Sequence, residues 1–343
     1  MALTPRLMKH TLYILFLLIS SAAYPQLSPE VSQYYDEFKA YARAQHLNGQ
    51  VTMTRDAYSR FKKICNAATN AELFALEQIA DIVVREYIVK ELVDRKADEL
   101  SELFAKFVND DVVQVQTADE VIDWSLAIEL YEAVAYQKVK LERRKYYEKT
   151  TDKSLLTDVK QLFGPEYETL WNSSEVDSLL LKFDAVAFSN DDVAPQVLNY
   201  IYRQKEFKVG NYNRVRYFAT KYPTGEILAT LANFKNPNDL PILQKNFNHA
   251  FLAVAKFPHP SFLPELKKRI NTCFENSEFQ EAVSSYANAD SRIMLDTICK
   301  KIAATYSDDA VRNEKLFSLY SIMERQNYAF YRPVLAKIDS MLN

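Results

Sequence analysis

Side chains able to bind a metal or move a proton are sparse in this chain, and their spacing suits neither task. The four histidines (His10, His46, His249, His259) form no H-E-x-x-H pair and lie apart from the three cysteines, which form no C-x-x-C, so a zinc site has no scaffold. His249 begins a helical stretch and His259 stands between Pro258 and Pro260, where a capping or solvated role suffices. No G-x-S-x-G elbow is present, and no cysteine has a local histidine to activate it. Asp110-Asp111, Asp191-Asp192 and Asp308-Asp309 each precede a helical stretch, and N-D-D-V occurs at Asn109 and again at Asn190. A calcium loop needs oxygens at alternating positions and a glycine at the bend. These pairs have neither, whereas carboxylates at helix starts cap free amides and oppose the helix dipole. The expectation is therefore no metal, no cofactor and no recognisable catalytic residue.

Position in such a chain comes from helices. Only Gly49, Gly164, Gly210 and Gly225 are glycine, far below the usual ~7%, so tight hairpins and phosphate-binding loops lack material. The 22 Tyr and 20 Phe suit helix seams. Ser28-Pro29 starts a helix near residues 29 to 47, closed at Asn48-Gly49. A second runs from Thr54 to Ala67. From Ala71 to Val108 there is neither Pro nor Gly, and the spacing of Leu76, Ile79, Val83, Tyr87, Leu100, Leu103, Phe104 and Phe107 predicts one long helix or two with a bend. Thr117 to Lys149 predicts a second long helix, antiparallel to the first across Asn109 to Gln116. The period fades between Lys205 and Tyr212, which divides an N-terminal bundle over 27–205 from a C-terminal array over 213–343. The fold class expected is all-α.

The N-terminus reads as an export signal over residues 1–23. Arg6, Lys9 and His10 precede the apolar run from Thr11 to Ile19, and Ser-Ser-Ala-Ala follows, so cleavage falls after Ala22 or Ala23. The apolar core is too short for the ~20 residues of a membrane span. A secreted or periplasmic location is the expectation, without a membrane span after cleavage. Cleavage leaves 40 Lys and Arg against 45 Asp and Glu, a net of about −5 with no basic block, which gives no footprint for nucleic acid.

The array contains a repeated phrase. LANFKNPNDLPILQKNF (Leu231 to Phe247) and VAKFPHPSFLPELKKRI (Val254 to Ile270) align Phe234 with Phe257, Pro237 with Pro260, Leu240-Pro241 with Leu263-Pro264 and Leu243 with Leu266. A third copy over Ser284 to Ile302 puts Tyr286 at the aromatic position. A fourth, Leu319 to Ile338, needs three extra residues in its turn. Each reads as helix, turn and second helix, a unit that buries its apolar face only by stacking on neighbours. The unit resembles a HEAT or related α-solenoid repeat, most closely in NADSRIMLDTICKKI with Asp290 in the turn and Arg292 heading the second helix. The resemblance implies an extended stacked surface that binds another macromolecule.

Tyrosines are the candidate contacts on that surface, since Tyr offers large area at low entropic cost. Tyr212, at the edge of the array, and Tyr217, Tyr222, Tyr328 and Tyr331 within it either bind a partner or fill seams. Cys273 and Cys299 are a possible disulfide if their helices are neighbours. The expected function is a non-enzymatic interaction or scaffold protein with a protein or peptide partner, a glycan being possible. The alternative is an envelope hydrolase of glycans or peptides, because acids at many helix ends can pair at the ~5–9 Å of glycoside hydrolases.

Overall fold

The computed structural model describes residues 27–45, 55–80, 82–109, 113–116, 121–149, 154, 157, 169–204 and 209–342. The export signal, the cap at Asn48-Gly49 and Asp110-Asp111 lie outside these residues. The described chain is all-α apart from one short ribbon, and it divides into two compact units, Met1–Val197 and Leu198–Asn343.

The first unit begins with α1 (Pro29–Gln45) packed on α2 (Arg55–Ala67), followed by α3 (Asn70–Ile79), α4 (Ile82–Asp94) and α5 (Leu100–Phe107). The stretch 71–108, expected as one long helix or two with a bend, is thus three helices. Between α4 and α5 the chain turns at Lys96, a non-glycine residue at φ 58°. The turn is held from both sides. Arg95 donates to the carbonyls of Cys65 and Ala68, and Trp171 Nε1 donates to Val93 O at 2.8 Å. Because no Gly or Pro marks it and the apolar stripe resumes beyond it, the break is invisible to periodicity.

The second long helix is also shorter than its pattern. Val113–Gln116 (β1) and Val121–Trp124 (β2) pair antiparallel, with Val113 opposite Trp124, and α6 starts only at Leu126 and ends at Glu148. The V-Q-V-Q alternation of β1 has strand period, and in a chain so poor in glycine that signal was overridden by the helical reading. Next come α7 (Ser173–Ser189), capped by Asn172, and α8 (Pro195–Gln204), within which the two units divide. The α4, α5, α6 and α7 helices pack around Phe104, which stacks on Phe183 at 4.3 Å between ring centres. The asparagines that open the two N-D-D-V segments meet: Asn190 Nδ2 donates to Asn109 Oδ1 at 2.6 Å, and Asn190 Oδ1 accepts from the Asp192 amide, which closes the second turn.

The second unit continues with α9 (Tyr212–Lys221), α10 (Gly225–Ala232), α11 (Leu240–Lys245), α12 (Phe251–Lys256), α13 (Leu263–Cys273), α14 (Ser277–Ser284), α15 (Ala289–Thr305) and α16 (Asp309–Leu342). The even-numbered helices pack successively on one another, α10 on α12, α12 on α14 and α14 on α16. The turns share one grammar, an aromatic, any residue, then a cap. Phe234-Lys235-Asn236, Phe257-Pro258-His259, Phe274-Glu275-Asn276 and Tyr286-Ala287-Asn288 each end in a side chain that accepts a backbone amide of the next helical turn. Lys235 and Ala287 take left-handed φ of 50° and 44° at the middle position, a role glycine fills elsewhere. Asp308 caps α16 by accepting from the Val311 amide at 3.1 Å.

Within α16, Asn327 is extended (φ −166°, ψ 82°) and its Oδ1 accepts from the Phe330 amide, capping a new segment. The residues after it run parallel to α15, since Tyr331, Lys337 and Met341 meet Ser291, Asp296 and Cys299 in order. Residues 309–326 start at the other end of α15, so the chain turns back at Asn327. The fourth copy of the phrase is thus a pair of helices.

Candidate interaction surface

Three tyrosine hydroxyls of the second unit hold turns. Tyr212 donates to Asp239 Oδ1 at 2.9 Å, accepts from Asn236 Nδ2 at 2.8 Å, and stacks edge-on against Phe234. Tyr286 donates to His259 O at 2.7 Å, joining two successive turns. Tyr331 is fully buried; its oxygen lies 2.7 Å from Ser284 O, 2.8 Å from Ser291 Oγ and 3.1 Å from the Ala287 amide it accepts. Burial foremost pushes the phenols of Tyr212, Tyr286 and Tyr331 above the ordinary tyrosine range, so all stay protonated. Tyr331 is therefore no partner contact, and Tyr212 is committed to a turn. Tyr222 is half-buried and stacks on Phe218. Tyr217 at 39% and Tyr328 at 50% remain exposed.

The cysteine pair does not form. All three cysteines are free, and Cys299 points its sulfur at Met341 Sδ, 3.7 Å away, while Cys273 lies beside Thr272 Oγ1 at 3.6 Å. Although α13 and α15 are neighbours, burial pushes the Cys299 thiol up to about 11, which leaves it little thiolate for exchange.

The odd-numbered helices carry a second regularity. In α9, α11 and α13 the fourth residue (Val215, Leu243, Leu266) is buried, and the fifth (Arg216, Gln244, Lys267) reaches the cap turn of the next helix in the row. Arg216 Nε donates to Asp239 at 2.9 Å, Gln244 Nε2 to Ser261 at 3.1 Å, and Lys267 Nζ to Asp290 at 2.9 Å. In α15 the equivalent residue is Asp296, next to buried Leu295, and there the polarity reverses: it accepts from Lys337. The sixth residue points to solvent. It is Tyr217, Lys245 and Lys268 in turn, and Lys300 of α15 lies one helical turn past the equivalent Thr297. We call these four exposed side chains, one on each successive odd-numbered helix, the ridge.

Charge follows the same division, a feature the averaged composition concealed. Residues 24–197 carry 20 Lys and Arg against 31 Asp and Glu, a net of −11, while 198–343 carry 20 against 14, a net of +6. Within the second unit, α9, α11, α13 and α15 hold 10 basic and 3 acidic residues, whereas α10, α12, α14 and α16 hold 6 and 7. Counting charge by unit rather than over the whole chain would have exposed this in the sequence.

The first unit holds a carboxyl raised toward neutrality. Lys90 pairs with Glu86 and lies 3.4 Å from Glu129 Oε2. Burial pushes the Glu129 carboxyl up to about 7, with Lys90 opposing and Glu86 and Glu132 adding to the rise. Such a group can hold a proton at pH 7, but its neighbours are the helix partners themselves. Among the described residues no three His, Cys, Asp or Glu converge as a metal would require, and no helix is long and apolar enough to cross a membrane. Comparison with protein-family models, curated proteins and solved structures returns no match.

Proposed function

We propose that this is a secreted or periplasmic, non-enzymatic interaction protein whose C-terminal helical array, an α-solenoid in plan, binds another macromolecule through the ridge of its odd-numbered helices. The observation that carries this reading is the ridge itself. Successive helices spend equivalent buried and bridging positions on one another and leave the same next position, Tyr217, Lys245 and Lys268, exposed to solvent. A repeated exposed position suits a ligand that crosses several units. Site-specific photo-crosslinking tests it in cells: a benzoylphenylalanine at position 245 or 268 should give a discrete adduct that the same probe at Phe317, exposed on α16, does not. Equal labelling from both faces, or no adduct from the ridge, refutes the reading.

A further inference from the structure

Taking the ridge as the binding surface, we infer that its partner is an acidic polypeptide segment lying across the helices. The sign of the surface is the first argument. Ten of the unit's basic residues lie on the odd-numbered helices against three acids, so nearly all its net positive charge belongs to that row. The second argument is availability. Among the described residues Lys245 is exposed with no carboxylate partner, and Lys268 and Lys300 are 69% and 66% exposed, their ion pairs to Glu265 and Asp296 confined to their own helices. Pairs of that kind contribute only about 0.3–0.5 kcal/mol, so a partner's carboxylates can displace them.

The character of the side chains selects among anions. Around the lysines the exposed residues of α11 and α13 are Pro241, Gln244, Pro264, Asn271 and Thr272, and Ile293 of α15 is the one large aliphatic group exposed on the four helices, too little apolar surface to enter a bilayer. The exposed ridge cations are lysines, compact charges without the guanidinium fork that phosphate recognition favours. Tyr217 occupies the same position as Lys245 and Lys268 and adds the flat, low-entropy contact common in peptide binding. An extended segment advances about 3.3 Å per residue, so one that touches several of these helices is of peptide length.

The test uses fluorescein-labelled poly-L-glutamate and fluorescence anisotropy on the purified protein. Binding should be measurable at 20 mM salt and weaken at least tenfold at 200 mM. The triple variant Lys245→Glu, Lys268→Glu, Lys300→Glu should lose at least tenfold in affinity at 20 mM. A control with the same charge change on the other row, Lys256→Glu, Lys315→Glu, Arg325→Glu, should lose less than threefold. Equal losses in both variants, or no binding of poly-L-glutamate, overturn the inference. So does tighter binding to vesicles of 70% phosphatidylcholine and 30% phosphatidylglycerol, or to a DNA 20-mer, at matched charge concentration. If ridge crosslinking succeeds while poly-L-glutamate fails, only the acidic identity of the partner is lost; if crosslinking fails, the surface assignment is lost.

Discussion

Replacing Tyr331 by Phe removes one oxygen from the interior of the second unit and nothing else. That oxygen serves three groups: it donates toward Ser284 O, shares a hydrogen bond with Ser291 Oγ and accepts the Ala287 amide. A neutral hydrogen bond is worth about 1 kcal/mol net, and a buried backbone group left without a partner costs about 1–3 kcal/mol. The Ala287 amide and the Ser284 carbonyl are left with only the long 3.4 Å bond between them. Against this, Ala287 is held at φ 44°, and freeing the turn recovers part of a left-handed penalty of about 1 kcal/mol. The balance is a loss of about 1–2 kcal/mol. Urea titration followed by circular dichroism should show the transition of the second unit moved to lower denaturant at unchanged slope, and the Ala287 amide should exchange faster. A change under about 0.5 kcal/mol would refute the assignment of Tyr331 to the turn.

Other expectations follow from single buried groups. Leu243→Ala and Leu266→Ala, both fully buried at equivalent positions, should each destabilise the second unit by about 2–5 kcal/mol, read by the same titration, and Leu→Asp at either site should unfold it. Glu129 has its folded carboxyl raised from 4.5 to about 7, so the folded state binds the extra proton between those values and stability falls as pH rises through 7. Glu129→Gln should gain on the wild type by about 2 kcal/mol between pH 5 and pH 8, measured by thermal unfolding; a pH-independent difference contradicts the burial argument. Glu72 is held down to about 2, chiefly by the Thr69 amide and further by that of Ser28. Its contribution is complete above the unfolded value of 4.5 and disappears as pH falls through 2. Glu72→Gln should cost about 1–2 kcal/mol at pH 7 and show a shrinking deficit below pH 4.

Glycine poverty and three-four periodicity made the helical class legible, and the aligned Leu243 and Leu266 are buried as packing residues must be. What stayed hidden were features with no periodic signature. Lys96 turns the chain in a left-handed conformation that glycine usually fills, so the bend allowed for in the 71–108 stripe has no marker in the sequence at its place. Tyr331 and Tyr217 look alike in sequence, yet one is buried in a hydrogen-bonded turn and the other faces solvent, because position on the helix and not residue type decides. The ridge was within reach through the equivalence of Lys245 and Lys268, but attention to aromatics and prolines passed over the residue two places beyond the aligned leucine. Charge was averaged over units of opposite sign.

The central claim is that the ridge binds a partner, and comparative affinity purification at 150 mM salt tests it most directly. Wild type and the folded Lys245→Glu, Lys268→Glu, Lys300→Glu variant are recovered from the same envelope or secreted fraction and their co-purifying species quantified by mass spectrometry. The account predicts at least one species retained by the wild type and lost from the variant; identical species in equal amounts from both would contradict it.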